Sequence, residues 1–350
     1  MSDQIVAPRT RDLSEMAEQV IPWLESKLPG ATNLKIANMD YPRGAGRSHE
    51  TILFDASWSA GGKDHSEGYV IRVKPDANQV YPDDLFEEQY RVMRVLHEER
   101  IVPVAETIGF EEDPALVGAP FFVMKKLTGR VAVTFPPYRE TGWVAEATPA
   151  QRRRFWEGGV RNLALTQKTP LDKVQFLAGL TGQESGLTGL DQEWDKYDRF
   201  VEWISPEKRW PVLDAAREAL KARWPKNQPE GLVWGDARIG NMMFDDNFDV
   251  VAVMDWEQAS LGGALHDLAW WLHISAFAHE QTADKPHLDG MGTREETIAL
   301  WQEITGISID DLDWYLDFTM FKTGCLSVRT GKLWNWPEPD HASLRAQLGL

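Results

Sequence analysis

The pattern of apolar residues changes near residue 129, and this change constrains the fold more than any other feature of the chain. Before it, short apolar runs alternate with turn-rich segments, a pattern typical of β-strands. After it, apolar residues recur every three or four positions over long stretches, as in amphipathic helices. The sequence therefore predicts an α+β protein with a β-rich first part and a mainly helical second part.

The boundary between two predicted lobes lies at residue 127, with the N-lobe over 1–127 and the C-lobe over 128–350. In the N-lobe, helical spacing covers residues 11–28 and 83–98. Strands are predicted at 34–41, 51–58, 68–75, 101–113 and 120–127. In the C-lobe, Thr148-Pro149 marks the start of a helix. Further helices are predicted at 194–204, 211–224, 263–280 and 293–305.

Charge and composition exclude several classes of protein. The chain carries 37 basic and 54 acidic side chains, so its net charge of −17 repels nucleic acid and anionic membranes. No apolar run approaches the ~20 residues that span a bilayer, and the first residues lack the apolar core of a secretory signal. The single cysteine, Cys325, excludes an intrachain disulfide. We therefore expect a cytoplasmic protein without nucleic-acid or membrane partners; its oligomeric state stays open.

The stretch LVWGDARIGNMMFD, residues 232–245, places three polar side chains between two apolar segments. A second apolar run, VVAVM, ends at Asp255, and a hairpin between the two runs would bring Asn241 beside Asp255. A carboxylate and an amide oxygen suit Mg²⁺, which prefers hard oxygen ligands. Asp236 could then accept a proton from a hydroxyl, and Arg238 could neutralise charge on a transferring phosphoryl group.

The run VWGDARIGNMMFD…VVAVMDWE…GGALHDLAWW resembles the aminoglycoside phosphotransferase/choline kinase family. The resemblance covers about residues 30–275 and is strongest at 232–271. It implies a protein-kinase-like two-lobe fold and ATP-dependent phosphoryl transfer. It also implies that Asp236 is the catalytic base, that Asn241 and Asp255 bind the metal, and that Asp267 braces the catalytic loop.

One residue of this run departs from the family pattern. Trp234 stands where the family usually has His. An indole has one donor and no ring acceptor, so we expect Trp234 to brace the loop mainly by packing.

The same resemblance implies how the N-lobe holds the phosphates of a nucleotide. The segment PRGAGRSHET is similar to the family's glycine-containing loop, with Gly44, Gly46 and Ser48 as the residues near the phosphates. A cation on the third strand should reach the α- and β-phosphates. Arg72 matches that position, and Lys74, which shares its face under strict alternation, is the alternative.

The resemblance also predicts a partner for that cation and a site for the adenine. Gln89 stands where the family usually has Glu, and Glu88 is its neighbour, about 100° away on a helix. Met124 is expected to lie behind the adenine, and the backbone of Lys125 and Leu127 to bind its edge.

We therefore predict a small-molecule kinase that uses ATP and Mg²⁺ and phosphorylates a hydroxyl. Alternatives are a catalytically inactive kinase-like binding protein and a metal-dependent hydrolase. The acceptor, an aminoglycoside or an aromatic or other alcohol, stays open, as does ATP against GTP. Tryptophans that could line the acceptor site or pack in the core are Trp270, Trp271, Trp301, Trp314, Trp334 and Trp336.

Overall fold

Contacts within the computed structural model divide the chain into two compact units. One comprises residues 1–79 and 105–127, and the other comprises residues 80–104 and 128–350. The structure describes residues 11–42, 50–75, 79–133, 137–179, 187–280 and 288–350.

The first unit is built on an antiparallel five-stranded sheet, ordered β1-β2-β3-β5-β4. Its strands are β1 Thr32–Asp40, β2 Glu50–Ala60, β3 Lys63–Val73, β4 Thr107–Glu111 and β5 Phe121–Lys125. Helix α1, Leu13–Lys27, contributes Trp23 to a buried cluster that includes Phe54, Tyr69 and Phe121 from the sheet. The predicted strands and the first helix are thus confirmed, with shifts of a few residues at their ends.

The second unit is mainly helical, as predicted. Its helices are α2 Phe86–Glu98, α3 Pro149–Leu165, α4 Gly189–Ile204, α5 Pro211–Ala222, α6 Leu265–Glu280, α7 Arg294–Thr305, α8 Leu312–Trp334 and α9 Ala342–Leu348. A small sheet, ordered β6-β7-β8, joins β6 Arg130–Val131, β7 Met242–Phe244 and β8 Val250–Val253. Three short 3-10 helices are described, at Thr166–Lys168, Leu171–Leu177 and Ile239–Asn241.

Two helices of this unit begin at capping boxes. Thr148 accepts a hydrogen bond from the backbone of Gln151, and the Gln151 side chain reaches back to the backbone of Thr148. Thr293 and Glu296 form the same arrangement at the start of α7. Each box satisfies backbone N–H groups that a helix leaves without partners, which explains why both helices begin there.

Helix α2 groups with the second unit, whereas the sequence predicts a single lobe over residues 1–127. The guanidinium of Arg91 lies 3.9 Å from the ring centroid of Phe176. The backbone N–H of Val253 in β8 donates to the carbonyl of Pro103, just beyond α2, at 2.7 Å. These contacts join a segment near residue 100 to segments far along the chain, which periodicity does not reveal.

Within the parts of the chain described here, none of the helices is both long enough and apolar enough to cross a membrane.

Candidate functional site

The predicted hairpin is present and brings two candidate metal ligands to one end. Strands β7 and β8 pair antiparallel, with Met242 opposite Val253. One step further, the backbone N–H of Met254 donates to the carbonyl of Asn241 at 2.9 Å. Asp255 follows directly, with a positive φ of 65°. Asn241 and Asp255 therefore flank the same open end of the hairpin.

The carboxylate of Asp236 is held by three side-chain donors. Its Oδ2 accepts from Arg238 Nε at 2.8 Å and from Asn241 Nδ2 at 2.7 Å. Its Oδ1 accepts from Trp270 Nε1 at 3.0 Å. The structure thus brings together Asp236, Arg238 and Asn241, all named from the sequence. It adds Trp270, which the sequence analysis had considered only as core or as lining of an acceptor site.

The orientation of Asn241 suits a hard cation. Its Nδ2 donates both to the carboxylate and to the backbone carbonyl of Asp236, the latter at 3.0 Å. This leaves Oδ1 as the atom able to bind a metal. Among the residues that the structure describes, no cluster of three or more His, Cys, Asp or Glu side chains could hold a metal ion. One amide oxygen and one carboxylate fit Mg²⁺ that is shared with phosphates.

Asp267 braces the loop, as the resemblance implied. At the start of α6, its carboxylate accepts from the backbone N–H groups of Trp234 at 2.6 Å and Gly235 at 2.9 Å. The side chain is buried, and burial raises its pKa to about 6 although both backbone N–H groups favour the charged form. The charged carboxylate is therefore kept in the interior by the loop that it holds.

Glycine is required at position 235 because of its backbone and its neighbours. Gly235 has φ of 103°, outside the range that L-residues with a Cβ readily adopt. A Cβ there would lie 2.5 Å from Cβ of Gln258 and 2.9 Å from its carbonyl oxygen. The turn that presents the N–H of Gly235 to Asp267 is thus open only to glycine.

Trp234 joins the loop to the segment that carries Asp255. Its indole Nε1 donates to the carbonyl of Met254 at 2.8 Å, and its ring packs against Trp256 with centroids 5.6 Å apart. The expectation of bracing mainly by packing therefore missed a hydrogen bond. The five-membered ring of an indole overlays an imidazole, so Nε1 of Trp234 occupies the place that Nε2 of a histidine would take.

A buried ion cluster, formed by Glu193, Lys196 and Lys322, contacts the segment that precedes the loop. Glu193 in α4 accepts from Lys322 in α8 at 2.7 Å and from Ser260 Oγ at 2.6 Å. Although burial opposes ionisation, Lys322 and then Lys196 hold the pKa of Glu193 below its usual range. Ser260 forms a backbone bridge with Val233, the residue before Trp234. The cluster thus holds the segment at Val233, which leads into the loop that carries Asp236.

The candidate phosphate-binding cations lie in the first unit. Arg72 is in β3, opposite Thr51 and Phe122, and it is half-buried, as is Lys74. Gly44, Gly46 and Ser48 lie outside the described residues. The choice between Arg72 and Lys74 stays a prediction.

The candidate adenine-binding residues lie at the end of β5. The N–H of Lys125 is occupied, since it donates to the carbonyl of Glu106 at 2.8 Å. The Lys125 ammonium pairs with Glu106 at 3.1 Å and Glu67 at 3.2 Å, and these partners raise its pKa although partial burial opposes the charge. Contact of the adenine edge with the backbone of Lys125 and Leu127 stays a prediction, as does the place of half-buried Met124 behind the ring.

The two candidates on α2 have different surroundings in the second unit. Gln89 is buried, and its Oε1 has no donor within the described part of the chain. Glu88 is only half-buried, and this burial raises its pKa. The buried position is thus that of Gln89, where the family usually has a carboxylate.

Solved structures show the same fold over nearly the whole chain. A Ralstonia eutropha protein assigned as an aminoglycoside phosphotransferase is 22% identical, with a TM-score of 0.68 and 95% of each chain covered. Macrolide 2′-phosphotransferase type I is 16% identical, with a TM-score of 0.59 and 99% of each chain covered. Choline kinase from Streptococcus pneumoniae is 11% identical, with a TM-score of 0.51, and 95% of this chain and 97% of that one are covered. The fold is therefore protein-kinase-like, as predicted.

Curated relatives carry a different name and are much longer. A probable acyl-CoA dehydrogenase of Arabidopsis thaliana is 25% identical over 84% of this chain and 36% of its own length. Acyl-CoA dehydrogenase family member 10 of Mus musculus is 25% identical over 76% of this chain and 22% of its own. Family member 11 of Homo sapiens is 23% identical over 80% of this chain and 36% of its own. The chain thus spans about a third or less of these relatives.

A protein-family model identifies the family of the chain. The model of the phosphotransferase enzyme family (APH) matches residues 44–301, about three quarters of the chain. This range includes the hairpin, Asp236 and the start of α6. The chain belongs to the phosphotransferase enzyme family.

Proposed function

We propose that this protein transfers the γ-phosphate of ATP to a hydroxyl of a small molecule. The observation that carries the proposal is the Asp236 carboxylate, held by Arg238, Asn241 and Trp270 beside the end of the hairpin that bears Asp255. Structural neighbours support it: one aminoglycoside phosphotransferase is described as a ternary complex with ADP and hygromycin B.

The side chains on the hairpin take distinct roles in this proposal. Asp236 orients the acceptor hydroxyl and accepts its proton as the hydroxyl oxygen bonds to the γ-phosphorus and the bond from that phosphorus to the bridging oxygen breaks, which releases ADP. Asn241 Oδ1 and the Asp255 carboxylate would hold Mg²⁺, which neutralises charge on the nucleotide phosphates when bound. Arg238, already bonded to Asp236 through Nε, stabilises charge on the γ-phosphoryl group.

The first unit supplies the nucleotide contacts in this proposal. Arg72, or alternatively Lys74, contacts the α- and β-phosphates. The carbonyl of Lys125 and the N–H of Leu127 bind the adenine edge, and Met124 packs against its ring.

The names of the curated relatives indicate which acceptor to test first. Those proteins are named for acyl-CoA dehydrogenation, and the present chain matches only about a third or less of each. A phosphotransferase region and a dehydrogenase in one polypeptide suit two reactions on the same acyl group. We therefore propose a hydroxylated acyl thioester as the first acceptor class, ahead of aminoglycosides and aromatic alcohols.

The test is ADP formation from ATP and Mg²⁺ with a panel of acceptors. Hydroxyacyl thioesters, aminoglycosides and aromatic alcohols form the three arms, and mass spectrometry identifies the phosphorylated product. We expect ADP release that requires an acceptor, with the highest rate in the first arm. Release of inorganic phosphate without a phosphorylated product would instead support a hydrolase. Nucleotide binding without ADP formation in any arm would support an inactive binding protein.

The hydrolase alternative gains no support from His266, which precedes the bracing residue Asp267 in α6. His266 is buried beside Asp267, and its Nδ1 accepts from Lys322 Nζ at 3.3 Å. Burial lowers its pKa well below the usual value, which keeps it neutral. Its Nδ1 is thus used in the buried ion cluster, and its Nε2, which has no partner within the described residues, is buried, whereas a catalytic metal must stay open to water or substrate.

We expect Trp234→His to retain most of the wild-type turnover. The turnover of Trp234→Phe should be about tenfold lower than that of Trp234→His. Both changes leave a cavity at a fully buried position, so both should lower the melting temperature. Only histidine can donate to Met254, because its Nε2 lies where the indole Nε1 lay. The lost donor leaves a buried carbonyl without its partner, which costs about 1–3 kcal/mol. Turnover and thermal melting of both variants check this.

Equal turnover of the two Trp234 variants would show that the hydrogen bond to Met254 does not matter for catalysis. Complete inactivity of a folded Trp234→His protein would show that the indole has a role beyond that hydrogen bond.

A further inference from the structure

We infer that Trp270 is a positioning residue that sets the orientation of the Asp236 carboxylate and the side from which the acceptor hydroxyl approaches it. This inference rests on the proposed function, in which Asp236 is the base. The indole Nε1 of Trp270 donates to Asp236 Oδ1 at 3.0 Å.

The count of hydrogen bonds on the carboxylate gives the first step. An ionised carboxylate offers about four lone-pair positions, two on each oxygen. Oδ2 of Asp236 accepts from Arg238 and from Asn241, so both of its positions are occupied. Oδ1 accepts from Trp270, so these three donors leave one position on Oδ1. The acceptor hydroxyl is thereby directed to that remaining position.

Helix α6 gives the second step, because it holds the loop at two points. Asp267 and Trp270 are three residues apart, so they lie on the same face of the helix, one turn apart. Asp267 binds the backbone at Trp234 and Gly235, and Trp270 binds the side chain of Asp236, the next residue. The distance between these two contacts is set by the helix rather than by a flexible loop.

The chemistry of the indole gives the third step. The indole N–H is a donor only and does not titrate in the range where enzymes work. It therefore stabilises the carboxylate that must accept the proton, without adding a positive charge beside it. Trp270 is only 7% exposed, so water does not easily replace this donor.

The catalytic part of the test compares Trp270→Phe with Trp271→Phe. Trp271 is the adjacent residue, is also buried, and makes no hydrogen bond to Asp236. The substitution Trp271→Phe therefore removes an indole N–H without removing a donor to Asp236. We expect Trp270→Phe to lower kcat about 10- to 100-fold with little change in KM for ATP. Trp271→Phe should change neither, and Trp270→His, whose Nε2 overlays Nε1, should recover part of kcat.

The structural part of the test does not depend on activity. In ¹⁵N-labelled protein, the indole N–H signal of Trp270 is assigned as the one missing from Trp270→Phe. We expect Asp236→Ala to move that proton signal upfield, as a lost hydrogen bond does, and to leave the signal of Trp271 in place.

Each outcome has a distinct meaning. An unmoved Trp270 signal in Asp236→Ala overturns the hydrogen bond and the inference with it. A moved signal together with an unchanged kcat in Trp270→Phe overturns the positioning role. If the signal moves in Asp236→Ala but the wild-type protein forms no ADP with any acceptor, the proposed function is overturned together with the role of Trp270 in it, while the contact itself stands. If Trp270→Phe does not fold, Trp270→His is compared with wild type by the same measurements.

Discussion

Replacing Asp236 with alanine is expected to lower turnover by about two to four orders of magnitude and to leave ATP binding nearly intact. A positioned general base contributes about 10²- to 10⁴-fold to a rate. The described side-chain hydrogen bonds of Asp236 are to Arg238, Asn241 and Trp270, and the proposed adenine contacts are other residues, at the end of β5. Steady-state turnover and calorimetric titration with ATP and Mg²⁺ measure the two quantities separately.

Asp246→Ala is a matched control for this variant. Asp246 lies in the turn of the same hairpin, its side chain is 98% exposed, and among the described residues its one ion pair is the 3.6 Å contact to Arg130. An exposed ion pair contributes little to stability, so turnover should stay near that of the wild type. Near-normal turnover of Asp236→Ala would show that Asp236 is not the general base. Loss of turnover in both variants would point to a disturbed hairpin rather than to a missing base.

The hairpin and its polar residues could be predicted because the information is local. Two apolar runs joined by a five-residue turn define a hairpin, and pairing then puts Asn241 beside the segment of Asp255. The brace by Asp267 spans over 30 residues and does not follow from spacing. It could be predicted only because the sequence resembles a known family at that position.

Trp270 could not be recognised in the same way, because a tryptophan on an apolar helix usually packs in the core. Trp301 and Trp314 are indeed buried core residues. Trp270 is buried as well, but its N–H points at the carboxylate of Asp236. The direction of one N–H bond depends on a rotamer and on the tertiary position of the helix, and neither is encoded in hydrophobic periodicity.

The burial of the ion cluster could not be predicted from the sequence either. Glu193 and Lys196 look like the solvated face of an amphipathic helix, yet both are nearly fully buried. Glu193 is neutralised by Lys322, 129 residues further along the chain. Only the packing of α4 against α8 makes these charges compatible with the interior, since a buried charge without a partner is costly.

Replacing Asp255 with alanine is expected to abolish Mg²⁺-dependent nucleotide binding, with an increase in Kd of about 100-fold or more. Even residues that only support a metal ligand change affinity about 10- to 100-fold, and a ligand itself should exceed this. The effect should vanish without Mg²⁺, because wild type and variant then bind ATP equally weakly. Calorimetric titration with ATP, with Mg²⁺ or with a chelator, measures both.

The backbone at Asp255 complicates the alanine variant, and a second variant resolves this. With φ at 65°, Asp255 lies in the left-handed region, where alanine is disfavoured by about 1–2 kcal/mol and asparagine is tolerated. Asp255→Asn should therefore keep the melting temperature of the wild type while it loses most Mg²⁺-dependent affinity, because a neutral amide oxygen replaces a carboxylate. If Asp255→Asn retains full affinity, the charge is not needed at the metal. If Asp255→Ala retains it as well, Asp255 is not a metal ligand, and the low stability of that variant reflects only its backbone.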